Sequence, residues 1–80
     1  MGSIIALTEL GPGAEGIVES LSGGIGIRRR LRALGIVEGQ KIRKLSSLAM
    51  GGPVIILINR AQVAIGRGMA RKIFVYPSQK

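Results

Sequence analysis

The chain has 80 residues, 46% of them apolar, with 13 glycines and neither cysteine, histidine nor aspartate. Twelve Lys and Arg against four Glu give a net charge of +8. One domain spanning residues 1–80 with a thin aliphatic core fits these numbers, while disorder, disulfides, thiolate or imidazole metal sites and histidine-based catalysis do not.

Ser3 to Leu7 reads as a first short strand, and Gly11-Pro12-Gly13 as a turn in which Pro presets one backbone angle and Gly supplies a positive one. Ala14 to Leu21 reads as a strand with Glu15, Ile17 and Glu19 on one face, ended by Ser22-Gly23-Gly24. A helix follows. Ile27, Leu31 and Leu34 fall at i, i+4 and i+7, and Gly35 stands where a left-handed cap belongs. At ~100° per residue, Arg28, Arg29 and Arg32 lie opposite that stripe and Arg30 at its edge. After the Glu38-Gly39 turn, Gln40 to Leu48 is a predicted strand with Lys41 and Arg43 on one face and Ile42 and Lys44 on the other. Ala49 to Pro53 is a loop, Val54 to Ile58 a buried strand, Asn59-Arg60 a hairpin turn and Ala61 to Ile65 its partner strand. Gly66 to Ala70 reads as one helical turn or a corner. Lys72 to Tyr76 closes the set, with Phe74 expected in the core, and Pro77 ends it. Five to six short strands separated by glycine-rich turns, with one inserted helix, predict an all-β, SH3-like barrel whose closure removes exposed strand edges.

Little here carries catalytic chemistry. The four Glu residues form no evident pair, and neither Gly24-Ile25-Gly26 nor Gly66-Arg67-Gly68 completes a dinucleotide or phosphate-loop pattern. No catalytic residue, metal ligand or cofactor is expected. The longest wholly apolar run, Val54 to Ile58, is far shorter than the ~20 residues of a membrane helix. The opening residues lack the features of a signal peptide, so the expected location is the cytoplasm.

Charge is the sharp signal. Residues 1–27 carry Glu9, Glu15 and Glu19 and no cation, whereas the remainder holds every Lys and Arg and only Glu38. Residues 28 to 44 hold Arg28, Arg29, Arg30, Arg32, Lys41, Arg43 and Lys44. No carboxylate stands three or four positions from the helix arginines, so their mutual repulsion costs the helix a few tenths of a kcal/mol per pair. A solvated face is the plain explanation. An acidic partner is the other, and it suits arginine, which grips carboxylate or phosphate with two parallel hydrogen bonds. An acidic protein surface and nucleic acid both meet the description. Nucleic acid usually also demands stacking aromatics, and Phe74 and Tyr76 are the two aromatics present.

The run from Gly23 through Arg28-Arg29-Arg30-Leu31-Arg32-Ala33-Leu34-Gly35 to Glu38-Gly39 and Ile42 resembles the signature of the FeoA family. So do Leu7-Thr8-Glu9-Leu10-Gly11-Pro12-Gly13 at the start, the small-residue loop Ala49 to Val54 and the closing segment Ala61 to Ile73. Gly52, and Gly68 with Met69, stand where that family often carries acids. The resemblance implies an SH3-like barrel, similar to the C-terminal barrels of iron-dependent repressors. It implies a non-enzymatic accessory or regulator of ferrous iron transport that docks on the cytosolic G-protein region of the membrane transporter FeoB, at the inner face of the cell membrane. Arg28, Arg29 and Arg32 are the expected contact, extended by Lys41, Arg43 and Lys44. A basic nucleic-acid-binding barrel and a weak metal-sensing module are the alternatives.

Overall fold

The computed structural model describes residues 3–47 and 52–78. Its strands are β1 (Ile5–Ala6), β2 (Glu15–Leu21), β3 (Lys41–Ser47), β4 (Val54–Ile58), β5 (Ala61–Ile65) and β6 (Ile73–Pro77). A 3₁₀ turn, Leu7–Glu9, follows β1; helix α1 is Ile25–Ala33 and the single turn α2 is Arg67–Ala70. All strand pairs are antiparallel, in the order β1-β6-β2-β3-β4-β5. Positions 48–51 of the expected strand end and loop lie outside the described residues.

The turns follow from residue type. The amide of Ala14 donates to the Gly11 carbonyl across Pro12-Gly13, with Gly13 at φ +83°, as a type II turn requires. Asn59 and Arg60 both hold positive φ, 50° and 68°, which matches the right-handed strand twist of a two-residue hairpin. Arg60 therefore adopts a backbone conformation that costs a bulky L-residue strain.

Two bulges explain why the alternation in the sequence is imperfect. In β2 the register shifts between Val18 and Ser20. Gly16 and Val18 face inward before the shift, and Leu21 is the inward residue after it. In β3 the shift falls between Lys44 and Ser46. Each inserts one residue and resets which side chains meet the core.

The core gathers Leu7, Leu10, Val18, Leu21, Leu31, Ile36, Ile42, Val54, Ile56, Ile58, Ile65, Ala70, Ile73 and Val75. The expected all-β, SH3-like fold of six short strands with one inserted helix forms. Among the described residues no ladder joins β1 to β5. The 3₁₀ turn and α2 pack against each other, with Leu7 and Ala70 fully buried. Phe74 departs from expectation: it lies half-buried on the outward side of β6 with Tyr76, because Ile73 and Val75 take the inward positions.

One cation belongs to this architecture. Lys44 is 3% exposed, and its Nζ donates to the carbonyls of Leu10 at 2.7 Å, Thr8 at 3.1 Å and Leu7 at 3.5 Å. Its main chain also pairs with Gly13 and Ala14. A 3₁₀ turn leaves its last carbonyls without partners inside the helix, and a buried carbonyl without a donor is costly. Lys44 supplies that donor across the barrel. The expectation that it extends a partner-binding patch is thereby corrected, since its ammonium is buried and engaged with the fold.

Candidate partner-docking face

Helix α1 is seated by few residues. Leu31 is fully buried and Ile27 packs partly against the core. The end of the helix is fixed by a Schellman arrangement: the Gly35 amide donates to the Arg32 carbonyl at 2.9 Å and the Ile36 amide to the Leu31 carbonyl at 3.0 Å. Gly35 has φ +92° and Ile36 is fully buried beside the core, as this motif prefers. Leu34 is consequently the cap residue, 41% exposed, and not the third member of a buried stripe.

With Leu34 removed from the stripe, the buried side centres between Ile27 and Leu31. By helix geometry Arg28 and Arg30 then flank it about equally, while Arg29 and Arg32 point away. Arg29 and Arg30 are exposed, and among the described residues neither has an ion-pair partner. Arg28 is half-buried, and its Nε is enclosed without a hydrogen-bond partner. Arg32 is not unpaired as the spacing implied: its Nη2 lies 3.5 Å from Glu38 Oε2, six residues on, brought back by the turn after the helix. Both groups are about half-exposed, so the pair contributes little to stability and leaves Arg32 available. Ile25, 63% exposed at the helix start, lies by the same geometry between Arg29 and Arg32. The outward face of α1 is therefore arginine around an exposed aliphatic group.

Lys41 and Arg43 do not join this face. They project from the outward side of β3, opposite the core that receives Leu31. There Glu15 of β2, paired in register with Arg43, collects both cations: Arg43 Nη2 sits 2.6 Å from Glu15 Oε2 and Lys41 Nζ 3.8 Å from Oε1. A shallow groove runs past them, lined by Glu15, Lys41, Arg43, Leu57 and Asn59. Arg30, placed at the stripe's edge by the spacing, ranks with Arg29 as an exposed cation because Leu34 caps the helix and leaves the buried stripe.

Among the described residues no three of His, Cys, Asp and Glu come together as a metal site, and no helix is long and apolar enough to cross a membrane.

The match to the model of the FeoA domain family covers residues 5–77. A protein of Methanocaldococcus jannaschii bearing the name Fe(2+) transport protein A is 41% identical over 63 residues, 79% of this chain and 74% of its own. A crystal structure of an iron uptake regulatory protein, FeoA, superposes with a TM-score of 0.88 at 37% identity, covering 95% of this chain and all of that one. A manganese-dependent transcriptional repressor shares the fold at 23% identity, with a TM-score of 0.88 over 98% of this chain and 44% of the repressor.

Proposed function

The chain belongs to the FeoA domain family, and from that premise we propose that it is a non-enzymatic cytoplasmic accessory of ferrous iron transport that docks on the cytosolic G-protein region of a FeoB-type transporter. Iron is the transporter's cargo in this reading and is not held by the accessory. The observation that carries it is the solvent side of α1, where exposed Ile25 lies between Arg29 and Arg32 and exposed Arg30 stands at the edge, on a helix without an acidic residue. Arginine beside exposed aliphatic surface is the chemistry of protein interfaces, and the helix accepts like-charge repulsion that the half-exposed Arg32–Glu38 pair relieves only in part.

Calorimetric titration with the soluble cytosolic domain of the transporter tests this. Arg29→Gln/Arg30→Gln/Arg32→Gln is expected to weaken binding by at least about 100-fold, since interface arginines contribute about 1–2 kcal/mol each when they meet carboxylates. Lys41→Gln/Arg43→Gln is expected to leave it within about threefold, because Glu15 already holds both cations. Undiminished binding by the triple variant contradicts the proposal.

One observation favours a nucleic-acid reading as the second choice. Phe74 and Tyr76 face outward, not inward, and Tyr76 is 46% exposed; its neighbour across the ladder, Ile17, is in turn paired with Lys41. Oligonucleotide affinity that falls steeply with salt, and that is lost in Tyr76→Ala, is the result that would replace the transport reading.

A further inference from the structure

The open side of the sheet leaves β5 at an edge, paired with β4 alone among the described residues. The opposite edge strand, β1, has two residues and offers little to pair with. β5 has five, in unbroken register with β4 from Ala61↔Ile58 to Ile65↔Val54. Natural edge strands are usually blunted by lysine, proline, a bulge or a charge, because a bare row of N–H and C=O groups recruits another strand. Ala61-Gln62-Val63-Ala64-Ile65 carries none of these devices. Its outward residues Gln62 and Ala64 are both exposed.

The hairpin geometry fixes which groups are on offer. A two-residue turn makes Ile58 and Ala61 the hydrogen-bonded closing pair, and such pairs alternate along an antiparallel ladder. Ala61, Val63 and Ile65 therefore bond back to β4, while the amides and carbonyls of Gln62 and Ala64 point away from the sheet. The charge nearby selects the occupant. Arg60 precedes the strand, exposed Arg71 follows it, and between positions 39 and 80 there is no acid. A second copy would bring another net +8 to the same edge, so self-pairing is opposed.

We propose that β5 is a second docking surface, distinct from α1, which takes an extended segment of a partner protein as an added strand, with carboxylates flanking a short β-prone stretch. Its recognition is main-chain hydrogen bonding at Gln62 and Ala64, with the flanking arginines choosing an acidic segment.

The test is an amide-resolved NMR and hydrogen-exchange titration of the full chain with a synthetic peptide, Glu-Glu-Thr-Val-Thr-Val-Thr-Glu-Glu. The amides of Gln62 and Ala64 are expected to shift downfield and to exchange at least about tenfold more slowly, whereas those of Ala61, Val63 and Ile65 are protected from the outset. The same peptide with Lys in place of each Glu is expected to bind at least about tenfold more weakly. Ala64→Pro removes an edge-facing donor without touching the β4 ladder and is expected to abolish the response; should it fold poorly, the native-chain amides decide. Unchanged Gln62 and Ala64 amides, shifts confined to residues 25–33, or equal binding of the lysine peptide overturn the proposal. Protection that appears without peptide and grows with protein concentration overturns the choice of occupant in favour of a second copy.

Discussion

Lys44→Met is expected to destabilise the domain by about 2–3 kcal/mol, lowering its melting temperature by roughly 10–20 °C. Methionine reproduces the length of the side chain but not its donors. The carbonyls of Thr8 and Leu10 then face a thioether, and Leu10 is a buried residue, while the Leu7 carbonyl keeps the Leu10 amide. Burial, and after it the nearby charge of Arg67, lowers the Lys44 pKa from the ordinary 10.5. The unfolded chain thus binds this proton more tightly than the folded one. The resulting penalty is complete below the folded pKa and is relieved as pH rises from there to 10.5, so native stability should climb across that alkaline window and the climb should be absent in Lys44→Met. Thermal melts from neutral to alkaline pH measure both effects. Lys41→Met, three residues away and exposed, should change stability by no more than about 0.5 kcal/mol. Equal melting of the two variants would contradict the clasp.

Leu31→Ala is expected to cost about 3 kcal/mol and to release α1. A nine-residue helix has little stability of its own in water, and Leu31 is its one fully buried side chain. Removing it leaves a cavity beside Ile36 and weakens the apolar contact that accompanies the Schellman cap. Circular dichroism should show helical signal lost well before the sheet melts. Leu34→Ala should leave both transitions within about 0.5 kcal/mol, because that side chain lies at the cap and is exposed, outside the core. Comparable losses in the two variants would restore the three-residue stripe read from spacing alone.

Spacing was informative wherever a local rule decides the outcome. Gly11-Pro12-Gly13 and Gly35 occupy the turn and cap their residue types favour, Asn59-Arg60 forms the hairpin turn despite the poor fit of Arg60, and Val54–Ile58 and Ala61–Ile65 have the bounds that those punctuation points set. The bulges in β2 and β3 were not legible, because an inserted residue leaves composition unchanged and shows only in the pairing. The use of each cation was hidden for a related reason. Glu15 meets Arg43 across 28 positions and Lys44 meets Leu10 across 34. Arg32 meets Glu38 only because the turn after α1 folds back. The basic residues of 28–44 therefore divide into four parts: Lys44 inside, Lys41 and Arg43 held on the sheet, Arg28 half-buried beside the core, and Arg29, Arg30 and Arg32 exposed on α1.

That division is the central claim, and NMR shift mapping of the labelled chain during titration with the soluble cytosolic domain of a ferrous iron transporter tests it most directly. Perturbations concentrated on Ile25 to Leu34, including the Arg29, Arg30 and Arg32 side-chain resonances, with Lys41 and Arg43 largely unmoved, are the expected result. No perturbation of α1, alongside an oligonucleotide that shifts Lys41, Phe74 and Tyr76 in a parallel titration, would contradict it.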